Sequence, residues 1–250
     1  MNLAANIPEV IAQQDAIINR SKTNECRSGY FCVLYRRMTL TVELAIKNKQ
    51  FDDGSRMEKL IINFANFYLQ AWAGYVGKST VNIAWQQVFN AAEKNNLAVL
   101  QHLVLGINTH INLDLAKAAV QTCPGESIYA LQKDFEKINN IIEALAQQMQ
   151  SCLEQIWWPL KMLTDITNNL HKAVLNFSIR NARKASWANA VALAKIDGPA
   201  HNNHIIAMEK MVMGISEKII NPGWMTSALL KPVVWMEPKE VHKIIELLKE

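Results

Sequence analysis

The amino-acid sequence predicts an all-α fold, a single-domain multi-helix bundle of about eight to ten helices over residues 1–250. Three observations carry this expectation. Helix breakers are scarce, with 9 glycines and 7 prolines in 250 residues. Ala, Leu, Ile, Gln and Lys, which favour helix over strand, are abundant. Apolar residues recur three and four apart through long segments, the period of an amphipathic helix.

Each element follows from its boundaries. Pro8 suits the first turn of a helix, where its missing N–H costs nothing, and that helix should run to about Asn19. The loop "SKTNECRSG" precedes a second helix, Tyr30 to about Asn48. "FDDGS" is a turn whose Asp53 and Ser55 are good N-caps for a third helix, Arg56 to about Ala73. "GYVGKST" breaks it, and a short helix near Val81–Lys94 leads into a long one, Leu97–Val120. After "TCPGES", helices are expected over Tyr129–Trp158, ended by Pro159, and over Leu160–Ala194, ended by "KIDGPA". His201–Ile220 is stopped by "NPG". A last short helix lies in the tail, with Glu237 or Pro238 near its start.

Composition narrows the class of function. The net charge is +4, and charged residues, 19 %, fall below the usual share of about 25 %. Lys and Arg are scattered rather than massed in a stripe, which argues against nucleic acid as a partner. No apolar run reaches the roughly 18 residues of a membrane span, and no secretory leader is evident at "MNLAANIPEVIAQQD". Cys26, Cys32, Cys123 and Cys152 form no C-x-x-C pair and suit a reducing cytoplasm, the expected location. Walker and G-x-G-x-x-G loops, G-x-S-x-G and H-E-x-x-H are all missing from the sequence.

The informative residues are polar ones on apolar faces. Along "LQHLVLGINTHINLDLA" and the Val99 before it, Val99, Leu103, Ile107, Ile111 and Leu115 fill one arc of the wheel. His110 and Asp114, four apart and so about 40° apart, fall inside it; His102 lies at its edge. On the third helix Glu58 points between Ile61, Ala65, Leu69 and Trp72. On the second, Arg37 lies among Tyr30, Val33, Leu34 and Leu44, as a candidate counter-charge. On the long later helix Arg180, Arg183 and Lys184 are expected to face outward. "HNNH" (His201 and His204) is a second, weaker histidine pair, and Trp157–Trp158–Pro159 is either core at a helix break or the lining of a ligand pocket.

Five strings together resemble an uncharacterised, mainly bacterial family known only as a domain of unknown function. They are "GYFCVLYRRMT", "FDDGSRMEKL" with "FANFYL", "LQHLVLGINTHINLDLA", "DFEKIN" and "NFSIRNARKASW". The resemblance spans a core of about residues 10–193, leaving 200–250 as a C-terminal helical extension. It implies an all-helical domain and no activity. Its motif positions here include Tyr35, Arg37, Arg56, Glu58, Tyr68, His102, His110, Asn112 and Asp114.

These readings converge on an expected interhelical pocket for a small, largely apolar ligand. His110, Asp114 and Glu58 would be catalytic, with His110 the general acid or base and Asp114 its orienting partner. Tyr35, Arg37, Arg56, Tyr68 and Trp72 would bind the substrate. Alternatively a divalent metal would use His102, His110 and Asp114, with Glu58 as a further ligand. A third reading is non-catalytic: the same residues form a structural polar network in a binding or scaffolding bundle. The sequence leaves oligomeric state open.

Overall fold

The computed structural model describes residues 2–142 and 168–249, the side chains of residues 168–178, 225–227 and 229 excepted. Trp157, Trp158, Pro159 and Cys152 therefore lie outside the described residues. The protein is all-α, with no strand among the described residues. In chain order the helices are α1 (Ile7–Thr23), α2 (Ser28–Lys47), α3 (Gly54–Val76), α4 (Ile83–Ala92) and α5 (Val99–Thr109). A π-helical turn, His110–Asp114, joins α5 to α6 (Leu115–Thr122), and a 3₁₀ turn (Gly125–Leu131) leads into α7, residues 132–142. Then come α8 (Asn168–Leu193), α9 (Gly198–Ile220), α10 (Trp224–Met236) and α11 (Val241–Lys249).

Pro8 and Asp53 take their expected places, Ser55 lies inside α3, and Asn6 adds a cap not expected from the sequence. Asn6 caps α1 by accepting the Glu9 N–H at 2.9 Å, and the Glu9 carboxylate returns to the Ala5 N–H at 2.8 Å. Asp53 caps α3 by accepting the Arg56 N–H at 2.9 Å. Three features differ from expectation. The segment expected as one straight helix, Leu97–Val120, contains the π-helical turn. Arg183, expected outside, is 4 % exposed: α8 lays it over the Phe135 ring, 4.4 Å from the centroid, and it donates to Asn139 Oδ1 and the Phe135 carbonyl. Burial lowers its pKa to about 10, so it stays charged. Finally, α10 was not anticipated, because Pro232 lies inside it and its sequence lacks an amphipathic stripe.

Two apolar clusters build the core. One joins α1–α5 with α11 around Tyr30, Phe31, Tyr68, Trp85 and Ile245. The other joins the first half of α3 with α6, α7, α8 and α9 around Met57, Leu60, Leu113 and Phe135. Met38 and Phe64 pack against both, so the seam between them runs past the middle of α2 and α3. The α5 backbone meets α2 closely at Gly106, where a Cβ would stand 2.3 Å from the Phe31 ring.

The "FDDG" turn is held from a distance by Asp134 on α7. This fully buried carboxylate accepts the N–H groups of Asp52 and Asp53 at 2.8 and 2.9 Å. Arg56 and Lys137 flank it at 3.5 and 3.3 Å. Burial pushes the Asp134 pKa up, but the two N–H donors and Lys137 outweigh it, and the net shift is downward.

Two outcomes follow. Asp134→Ala should cost about 2–4 kcal/mol in denaturant unfolding at pH 7, since two backbone donors lose their acceptor and Arg56 and Lys137 each lose one of two carboxylates. The depressed pKa makes this stabilisation present above about pH 4 and lost as pH falls through the folded-state value, so parent and variant should converge in acid. Gly106→Ala should cost about 1–3 kcal/mol, because its methyl group has to displace the Phe31 ring.

Candidate functional site

The site grows out of the π-helical turn "HINLD". Inserting one residue into an α-helix rotates the following face and widens the turn, and such turns recur at functional sites. Here it lets a run of polar residues face inward. Asn108, Thr109, His110, Asn112 and Asp114 are all buried. Asn108 spends its donors on α9, at the Val212 carbonyl (3.1 Å) and Ser216 Oγ (3.0 Å), and accepts from Asn112 at 2.9 Å. That leaves His110 and Asp114 to face α2, α3 and α4.

His110 and Asp114 form a hydrogen-bonded pair, Nδ1 to Oδ2 at 3.0 Å, with side chains 4 % and 2 % exposed. The Trp85 indole N–H donates to the same oxygen at 2.9 Å. A carboxylate only accepts, so Nδ1 carries the hydrogen and Nε2 keeps its lone pair. That Nε2 is buried and has no hydrogen-bond partner, and neither has the Tyr35 hydroxyl. Burial lowers the His110 pKa despite the hydrogen bond and charge of Asp114, so the ring is neutral at pH 7. Burial, and then the charge of Asp114, hold the Tyr35 hydroxyl well above its ordinary pKa; it remains a proton donor.

Aromatic rings enclose the imidazole. Phe64 stacks on it, centroids 3.6 Å apart and planes at 8°. Tyr35 stands edge-on at 4.4 Å and Phe31 at 5.7 Å, with Tyr68 and Trp85 each 6.1 Å away. Across Phe31, Tyr68 and Trp85 lies a second recess, lined also by Arg27, Ser28, Phe89 and His102. Its volume is about 10 Å³, the space of roughly one water. His102 is 5 % exposed, edge-on to Tyr30 at 5.9 Å, and its Nε2 has no partner. Burial first, and the Arg27 charge second, lower its pKa to about 3.

The structure thus gathers His110, Asp114, Tyr35 and Tyr68 and sends other expected site residues elsewhere. Glu58 is half-buried on α3, six residues and about 9 Å along the axis before Phe64, the α3 residue stacked on His110. Arg56 serves Asp53 and Asp134. Arg37 donates to the Leu248 carbonyl at the end of α11, at 3.1 Å. Trp72 is buried in the same cluster, with Arg20 over its ring at 5.8 Å. The expected metal set of His102, His110, Asp114 and Glu58 does not converge: among the described residues no three His, Cys, Asp or Glu side chains are grouped to hold an ion. The physical reason is that His102 and His110 are separated by two helical turns, and only His102 lines the recess beside Phe31, Tyr68 and Trp85. His204 is bonded to Asn189 Oδ1 at 3.0 Å, so the "HNNH" pair forms no metal group either.

Trp85, Phe31 and Phe64 were not singled out by the sequence. Trp85 shares its α4 face with Ala84, Val88 and Phe89 and reads as core; only its N–H, which needs an acceptor when buried, hints at a polar neighbour.

These features define an all-α bundle with a His–Asp pair sealed in aromatic rings. The chain belongs to a family of unknown function, DUF5995, whose profile matches residues 7–222. The match continues through α9, beyond the segment that the motif strings cover. No curated protein and no solved structure matches the chain. Among the described residues no helix is long and apolar enough to cross a membrane.

The two buried histidines set a pH dependence. Each has its folded-state pKa below the unfolded value of about 6.5, so the unfolded chain takes up protons first, and stability falls as pH drops below that value. His102→Phe should flatten the loss between about pH 6.5 and 3, read as denaturation midpoints across that range. Trp85→Phe, which removes one donor to Asp114, should cost about 1–3 kcal/mol at pH 7.

Proposed function

We propose that the His110–Asp114 pair is a metal-free acid–base centre acting in the cytoplasm on a small, largely apolar substrate. One observation carries the reading: a neutral imidazole, oriented by a buried carboxylate, presents an unpartnered Nε2 in a ring-lined interior. Leaving such an atom unsatisfied costs free energy, and unsatisfied buried groups in native proteins call for an explanation. A substrate group at Nε2 supplies one. In this role His110 Nε2 accepts a proton, Asp114 holds the tautomer and stabilises the imidazolium, and the protonated Tyr35 hydroxyl donates to oxygen on the substrate. Phe64, Phe31 and Trp85 exclude water and supply apolar contact.

A second reading is favoured by the small volume beside the site. A recess of about 10 Å³ suits a structural network that fixes α4 against the α5–α6 segment. Small, largely apolar fragments titrated into protein with ¹⁵N-labelled histidine separate the two. An acid–base centre predicts fragments that shift the His110 Nε2 resonance, with their affinity, read by calorimetry, lowered in a folded His110→Phe variant. A His110 resonance indifferent to every fragment leaves the structural network as the role of the pair.

A further inference from the structure

The second recess contains polar groups that the acid–base reading does not use. It sits where the N-terminus of α2 meets α5. Gly29 lets α2 start there in close contact with α1 and α11, since a Cβ would lie 2.6 Å from Ser21 Cβ and 2.8 Å from Ile245 Cδ1. This fixes Arg27, the N-cap residue, and Ser28, the first residue of the helix, at the rim. Both are half-buried and line the recess. Among the described residues no ion pair or hydrogen bond engages the Arg27 guanidinium. Glu237, a buried carboxylate near this end of the bundle, accepts the Val99 N–H at 3.1 Å. Opposite Arg27, His102 lines the same recess with its Nε2 buried and unpartnered. The remaining walls are apolar or aromatic, Phe31, Trp85 and Phe89 among them.

We propose that this recess is an anion subsite that takes the carboxylate of a small aromatic or aliphatic acid. The Arg27 guanidinium, the Ser28 hydroxyl and the His102 imidazole N–H donate to it, and Phe31, Trp85 and Phe89 pack on the ligand's apolar body.

The chemistry of the donors selects this ligand. An unpaired guanidinium beside a helix N-terminus favours negative charge, and a planar fork matches a carboxylate. A neutral imidazole adds a hydrogen-bond donor without needing to be charged. A cation as ligand is disfavoured by Arg27 itself. Apolar walls on the remaining sides add affinity for a ring or short chain but none for a bare ion. In the form described, the recess holds about one water, so taking the ligand's apolar body requires it to widen, and half-buried Arg27 forms its rim. The Phe31–Tyr68–Trp85 layer that backs the recess is also the wall of the His110 pair. The subsite thus deepens the acid–base reading by naming the substrate's charged group. It rests on that reading only for the chemistry that follows binding.

The test is a titration of the full chain, with ¹⁵N-labelled histidine, by benzoate, acetate, inorganic phosphate and the neutral benzyl alcohol. Benzoate should shift the His102 resonances saturably, and acetate should do so more weakly. Benzyl alcohol should bind at least about tenfold more weakly than benzoate, as should benzoate to a folded Arg27→Gln variant. Arg27→Lys should recover part of the loss. His110→Phe should leave benzoate binding intact, which separates this proposal from the acid–base one. A His102 that ignores benzoate overturns the subsite, as do equal affinities for benzoate and benzyl alcohol or an Arg27→Gln variant that binds like the parent. Phosphate binding more tightly than benzoate overturns the carboxylate assignment. Each of these results leaves fragment binding at His110 to be judged by its own experiment.

Discussion

A carboxylate sealed inside an apolar bundle has to be given donors, and the centre of this protein is arranged around that requirement. Asp114 receives two N–H groups on one oxygen, one from Trp85 of α4 and one from His110 a turn before it. Neither donor is a cation. The pair therefore depends on geometry more than on charge: a straight α-helix is interrupted by a π-helical turn at the segment that carries both residues. From the same turn Asn112 donates back to Asn108, whose own donors reach α9. One local distortion thus serves two sides of the helix.

The placement at the seam of the two apolar clusters gives the pair its surroundings. Phe64 touches both clusters and stacks on the imidazole, and Phe31 reaches the ring because Gly106 lets α5 come close to α2. Desolvation follows from this packing and decides the protonation states: the histidine is held neutral and the tyrosine is held protonated. A base and an acid are poised side by side because the same rings exclude water from both. The carboxylate of Asp134 does comparable work for the "FDDG" turn, but its donors are backbone N–H groups and cations, so charge as well as geometry holds it.

Much of the fold was legible in the sequence. Helical periodicity and caps such as Asp53 give α1 to α4 to within a few residues. The inward His110 and Asp114 were legible because wheel positions report faces, and Tyr35 and Tyr68 came with the resemblance. What a wheel cannot report is which faces meet. Glu58 and Arg37 both point to apolar sides, yet Glu58 stays half-buried away from the ring and Arg37 ends on the α11 backbone. Arg183 was misplaced for a related reason: a long cation reads as solvent-facing unless the ring and carbonyls that satisfy it are known to lie opposite. Trp85 was silent because a donor's need for an acceptor shows in tertiary structure only.

The protonation state of His110 tests the account most directly. Long-range ¹H–¹⁵N spectra of histidine-labelled protein resolve both ring nitrogens across pH 5 to 8. The account predicts one neutral imidazole with its proton on Nδ1 and a bare Nε2 at pH 7 and above. An imidazolium at pH 7, or a neutral ring with the proton on Nε2, contradicts it.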